Sequence, residues 1–150
     1  MGSTSDWGVM KTAVETLEQF GVEHETRVLS AHRTPAELEK WASSLRERGF
    51  GAVIAAAGGA AHLAGVVAAF TTLPVIGVPI KSKAFEGMDS LLSMVQMPPG
   101  IPVAVVSVDG AKNAALLSVE ILAVTDADMK QKMDAFRKEQ AKKVLDSKLD

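Results

Sequence analysis

Val22-Glu23-His24-Glu25-Thr26-Arg27-Val28, followed by Ser30-Ala31-His32-Arg33-Thr34-Pro35, is the stretch whose reading decides the fold. In its first half Val22, His24, Thr26 and Val28 alternate with the charged Glu23, Glu25 and Arg27, the two-residue period of a strand. In its second half a helix begins. Thr34 suits the N-cap, Pro35 suits the first helical position, and Glu37 stands three residues after the cap, which writes a capping box. A strand that runs into a helix through a short turn is the building unit of a parallel sheet. Ligands of such sheets bind just beyond the carboxyl ends of the strands, so His32 and Arg33 are expected at a binding site.

Working outward, helices and apolar strands alternate. Trp7, Met10, Val14, Leu17 and Phe20 recur at helical spacing up to Gly21, and the capped helix is expected from Pro35 to Arg48. Phe50 to Ala57 reads as a second strand, and a Gly58-Gly59 turn opens an Ala-rich helix through Phe70. Leu73 to Val78 reads as a third strand and Ile101 to Val108 as a fourth, with a short helix from Asp89 to Val95 and a Met97-Pro98-Pro99-Gly100 turn between them. Helices from Ala111 to Val124 and from Ala127 to about Leu145 close the chain. This order specifies an α/β domain spanning residues 1–150, a parallel sheet with right-handed crossovers.

Composition agrees. A chain of 150 residues buries roughly 70% of its unfolded surface. Hydrophobic residues at 47% with aromatics at 5% describe a core of Ala, Val, Leu, Ile and Met, as helix-covered parallel sheets prefer. A net charge of −2 argues against a broad nucleic-acid or anionic-membrane surface and for a small ligand. The absence of cysteine removes disulfide and thiolate chemistry and is compatible with the cytoplasm. The apolar runs are short and broken by Gly and Pro, so no membrane span or signal peptide is read.

Met1-Gly2-Ser3-Thr4-Ser5-Asp6-Trp7 reads as a glycine turn entering a helix, yet no strand comes before it. In a doubly wound sheet such a turn follows a central strand. The expectation is that a native first strand of roughly five or six apolar residues is missing from this sequence, through the choice or placement of its start. A chain beginning at Met1 is then expected to be destabilised or poorly active, because two strands lose their shared neighbour.

Gly2-Ser3-Thr4-Ser5-Asp6-Trp7, Ser30-Ala31-His32-Arg33-Thr34-Pro35, Ala57-Gly58-Gly59-Ala60-Ala61-His62-Leu63 and Asp89-Ser90-Leu91-Leu92-Ser93-Met94-Val95-Gln96-Met97-Pro98-Pro99-Gly100-Ile101-Pro102 together resemble the class I N5-carboxyaminoimidazole ribonucleotide mutases of purine biosynthesis. Gly110-Ala111-Lys112-Asn113-Ala114-Ala115 extends the resemblance over nearly the whole chain. Ala64 departs from it where a proline usually follows the His-Leu pair, and Ala56 stands where a glycine is common. The resemblance implies a three-layer, flavodoxin-like fold, a homo-octamer with shared sites, and functional coupling to the ATP-dependent synthetase that makes the N5-carboxylated substrate. It also implies substrate binding by Ser3, Ser5, Asp6, Ser30, Ala31, Arg33, Ala57, Gly58, Gly59, Ala60, His62 and Leu63, with His32 as the catalytic residue.

Each motif has a plainer reading beside this one. Ser3, Ser5 and Asp6 can simply cap the first helix, although a helix start also offers N–H groups to a phosphate. Asp6 would repel that phosphate, and the resemblance assigns it to ribose hydroxyls. A lone His32 is more often structural, but imidazole takes and returns a proton near neutral pH, and the implied carboxylate transfer needs such a group. Arg33 can form a surface ion pair, or clamp phosphate through its planar fork. Gly58 and Gly59 suit a tight turn, and with Ala60, Ala61 and Leu63 they are expected to make a dry pocket that holds released carbon dioxide. His62 reads as a packing, binding or loop-positioning residue rather than a proton carrier.

Other chemistries are poorly supported. No Gly-x-Ser-x-Gly elbow is present, His24, His32 and His62 have no metal-ligand spacing, and no phosphate-loop or dinucleotide fingerprint appears. No cofactor, metal or ATP is expected. The rivals are a class II aminoimidazole ribonucleotide carboxylase and a non-catalytic module that binds a phosphoribosyl metabolite. Met94, Val95, Met97 and Ile101 are expected to form a contact between subunits, and Met129, Met133, Phe136 and Val144 to pack either on a neighbour or on their own sheet.

Overall fold

The computed structural model describes residues 1–149. Three strands, β1 (Val53–Gly58), β2 (Val75–Ile80) and β3 (Ala104–Val105), form one parallel sheet in the order β1-β2-β3. Helix α3 (Leu63–Phe70) joins β1 to β2, and α4 (Met88–Val95) joins β2 to β3. α2 (Pro35–Ser44) packs beside α3, α1 (Trp7–Phe20) beside α5 (Ala111–Ala123), and α6 (Ala127–Leu145) rests on α5. The architecture is α/β and flavodoxin-like, as expected.

Strand alternation divides the core in two. Val53, Ala55 and Ala57 join Leu38, Leu45, Val67 and Met94 on one face, while Ala56, Ile76 and Val78 join Met10, Leu17, Ala115 and Val119 on the other. β1 and β2 are apolar at successive positions because helices cover both faces. Small residues let the layers approach. A Cβ at Gly77 would stand 3.2 Å from the Met94 sulfur and 3.2 Å from a Val103 methyl, so the thioether occupies the space a side chain would need.

The boundaries differ from the sequence reading in several places. Val22 to Val28 pairs with no strand among the described residues, and together with residues of β1 it lines a cavity of about 490 Å³. It is held instead by Glu25, whose carboxylate accepts from Arg27 Nε at 2.6 Å, from Trp41 Nε1 at 3.0 Å and from Arg48. The expected strand from Ile101 to Val108 contracts to Ala104–Val105. Pro102 carries no N–H to pair, and beyond Val105 only isolated bonds reach β2, from Val106 to the Gly77 carbonyl at 3.1 Å and from Asp109 to that of Pro79 at 2.8 Å. β1 begins at Val53 rather than Phe50, whose N–H instead finishes the preceding helical turns on the Leu45 carbonyl at 3.1 Å.

The regular part of α2 ends at Ser44, short of Arg48, and α3 starts at Leu63 rather than directly after Gly59. The capping box expected at Thr34 does not form. Its hydroxyl accepts from the Ser30 N–H at 2.9 Å and donates to the Ser30 carbonyl at 3.1 Å, so it ties the turn before the helix rather than the helix itself. Met94 is buried in its own core, while Val95 is half exposed, so only part of the expected contact surface faces outward. Met129 and Met133 pack on their own chain, Phe136 meets Phe20 edge to face at 5.4 Å, and Val144 is exposed.

Candidate active site

Three turns meet at the carboxyl end of β1. The first is the short 3₁₀ turn Thr4–Asp6, brought there because the Gly2 N–H donates to the Ala56 carbonyl at 3.0 Å. It is closed by a reciprocal box: the Ser5 N–H donates to Ser3 Oγ at 3.3 Å, and the Ser3 N–H donates to Asp6 Oδ2 at 3.0 Å. Ser5 Oγ donates to the other Asp6 oxygen at 3.1 Å. Asp6 is buried with both carboxylate oxygens engaged, so the capping reading of this residue is realised.

The second turn carries His32 and Arg33. The Arg33 backbone N–H donates to Ser30 Oγ at 3.2 Å and Nε donates to the same oxygen at 3.3 Å, while Nη2 donates to the Gly2 carbonyl at 2.9 Å. These bonds lean an exposed guanidinium over the Ser3 turn and fix its plane. Ala31 is half-buried and packs against the core beneath.

The third turn follows β1 directly. Gly59 has φ +65° and Ala61 φ +46°, both left-handed, and the Ala61 N–H reaches back to the Gly58 carbonyl at 3.3 Å. This reversal sets His62 at the start of α3, where its carbonyl accepts the Val66 N–H at 3.0 Å. Its ring then meets His32: His32 Nε2 and His62 Nδ1 are 2.8 Å apart, with the rings nearly perpendicular. An approach this close needs a proton on one nitrogen and a lone pair on the other. The contact ties the His32 ring to the start of α3.

Of the residues singled out in the sequence, Ser3, Ser5, Ser30, His32, Arg33, Gly58, Gly59, Ala60 and His62 lie on these turns at or near the surface. Ala57, Ala61 and Leu63 are buried among core residues. The dry pocket expected from the Gly58 to Leu63 loop is therefore not formed as anticipated, because Ala61 and Leu63 turn into the core and Ala60 faces outward. The arrangement is an open shelf with a guanidinium, an imidazole pair and two serines. Sequence reasoning missed the bond between His32 and His62 and the one between Arg33 and Gly2, since separations of 30 and 31 residues carry no periodic signal.

The chain has counterparts among known proteins. The family described as AIR carboxylase matches residues 1–143. A protein of Pyrococcus abyssi named N5-carboxyaminoimidazole ribonucleotide mutase is 60% identical over 139 residues, 93% of this chain and 80% of that one. A protein of the same name from Vibrio parahaemolyticus is 56% identical over 147 residues, 97% of this chain and 91% of that one. Among solved structures, one titled as the crystal structure of Treponema denticola PurE superposes with a TM-score of 0.86 at 30% identity, covering 97% of this chain and 90% of that one.

Proposed function

The chain belongs to the AIR carboxylase family, and from that premise we propose that it is an isomerase of purine biosynthesis. It converts N5-carboxyaminoimidazole ribonucleotide to 4-carboxy-5-aminoimidazole ribonucleotide. The observation that carries this reading is the His32 and His62 contact of 2.8 Å beside Arg33 and the Ser3 turn, in a chain 60% identical to a protein bearing the mutase name.

The reaction moves one carboxylate. The carbamate C–N bond breaks to release carbon dioxide, and His32 gives a proton to the freed amine nitrogen. A C–C bond then forms at the ring carbon, and the proton that carbon sheds returns to His32, so the histidine ends as it began. Holding carbon dioxide against the ring replaces a bimolecular encounter with a local one. Arg33 and the hydroxyls of Ser3 and Ser5 take the phosphate, the Ser5 hydroxyl turning from Asp6 to do so. Ser30, Ala31, Ala57, Gly58, Gly59, Ala60 and Leu63 shape the floor, and Asp6 holds the turn that faces the ribose. His62 orients His32 through their shared proton.

Because Ser5, His32, Arg33 and His62 are all exposed, another copy of the chain is the natural source of the missing walls. We assign a homo-oligomer on that ground, an octamer by family resemblance, working in the cytoplasm beside the ATP-dependent synthetase that supplies its substrate. No helix among the described residues is long and apolar enough to cross a membrane.

Incubating the purified chain with the N5-carboxylated ribonucleotide, without ATP, metal or bicarbonate, should yield the 4-carboxy product. A requirement for bicarbonate and aminoimidazole ribonucleotide would indicate the carboxylase reaction instead. Binding of either nucleotide without turnover would reduce the chain to a binding module.

A further inference from the structure

Helix α2 opens on Thr34, yet the Thr34 hydroxyl makes no bond to α2. It is spent on Ser30 instead: the Ser30 N–H donates to Thr34 Oγ1 at 2.9 Å, and Thr34 Oγ1 donates to the Ser30 carbonyl at 3.1 Å. The Thr34 N–H donates to that same carbonyl at 3.0 Å. These bonds close the turn from Ser30 to Thr34, and the residues inside the closure are Ala31, His32 and Arg33. Both ends of the turn are anchored. Leu29 and Ala31 pack against the core, and the N–H of the buried Leu38 donates to the Thr34 carbonyl at 3.1 Å. His32 and Arg33 stand outside that packing, on the solvent side. They are fixed by the closure, by the Ser30 Oγ bonds to Arg33 and by the ring contact with His62.

We propose that Thr34 is a positioning residue, whose hydroxyl shapes the turn so that His32 meets His62 and Arg33 reaches Gly2; the assignment rests on the mutase reading of the site. The demand on its chemistry is specific. A hydroxyl accepts and donates at once, and here it does both toward one residue. Valine has the same shape and neither capacity, whereas serine keeps both. The helix has no need of the group. Pro35 occupies the first helical position and brings no N–H to satisfy, so loss of the hydroxyl takes no bond from α2. The bond from Ser30 is exposed, so an N–H released from Thr34 finds water rather than a buried void. The loss therefore falls on geometry, where a displacement of about 1 Å at a reacting group costs up to about 10²-fold in rate.

The test compares the parent chain with Thr34→Val and Thr34→Ser, measuring kcat and KM on the N5-carboxylated ribonucleotide, the melting temperature, and the geometry of the turn in crystals. Thr34→Val should lower kcat/KM by about tenfold, with kcat down and KM up because His32 and Arg33 share the turn. Its melting temperature should stay within about two degrees of the parent's. In its crystals the separation of His32 Nε2 and His62 Nδ1 should open beyond about 3.5 Å. Thr34→Ser should restore the kinetics and the contact together. Thr34→Ala removes the same hydroxyl without a branched side chain, and takes the place of Thr34→Val if that protein folds poorly. Parental kcat/KM without the hydroxyl, or the 2.8 Å contact kept, overturns the proposal. So does a Thr34→Ser protein that behaves as Thr34→Val does, since the methyl group would then be what matters, and so does a loss of activity that only tracks a lower melting temperature. A parent without turnover would sink the mutase reading alone, while the crystals would still decide for or against Thr34.

Discussion

At the scale of single residues, the two histidines are separable by kinetics. His32→Asn should retain substrate binding and lose turnover by on the order of 10²-fold or more, as removal of a positioned acid and base does. His62→Ala should lower kcat less and leave KM nearly unchanged, because its role is exercised through the 2.8 Å contact with His32 rather than on the substrate. Near-normal kcat for a folded His32→Asn protein would remove the assignment. The residue types were legible before the fold: His32 and Arg33 stand in a turn before a helix, which is where a parallel sheet binds ligands. Their partners were not. His62 sits at the start of α3 because Gly59 and Ala61 adopt left-handed backbone, and an alanine at φ +46° has no signature in the sequence. Nor does composition tell whether Leu63 lines a pocket or fills a core; only the register of β1 and α3 decides that.

Among elements, the segment from Val22 to Val28 shows how an accurate local pattern can meet a different neighbourhood. Its alternation is real, yet a strand is defined by pairing, and Glu25 rather than a ladder holds it. Arg27, Arg48 and the Trp41 indole together bring the Glu25 carboxyl down to about 2 from the ordinary 4.5. The folded state therefore favours the ionised form. The resulting stabilisation is complete above about pH 5 and is lost as the pH falls from 4.5 toward 2. Because the ion pairs are partly exposed, the gain near neutrality is about 1 kcal/mol. Glu25→Gln should lower the melting temperature at pH 7 and flatten its dependence on pH between 5 and 2. A variant whose acid limb superposes on that of the parent would show that the clamp contributes nothing. The boundaries of β1, β2 and α2 shifted by a few residues for similar reasons, since the end of each element depends on which neighbour its last N–H finds.

The whole molecule was the most legible level, because alternation of helices and apolar strands with glycine turns leaves few topologies open. What the sequence could not convey is how the layers meet, which rests on the spaces left by small residues. The Gly77 seat for Met94 is one such space, and it has a consequence for oxidative damage. A chain without cysteine takes oxidants mainly at its methionine sulfurs, and these differ sharply in shelter: Met88 is 56% exposed and Met94 only 1%. Dilute peroxide should convert Met88 to its sulfoxide well before Met94, as peptide mass spectrometry can follow. Once Met94 does react, its added oxygen has no room against Gly77 and Val103, so α4 should leave the sheet and the remaining buried methionines should then oxidise together. Steady oxidation at Met94 in step with Met88, with no loss of structure, would show that the seat is looser than its 3.2 Å geometry.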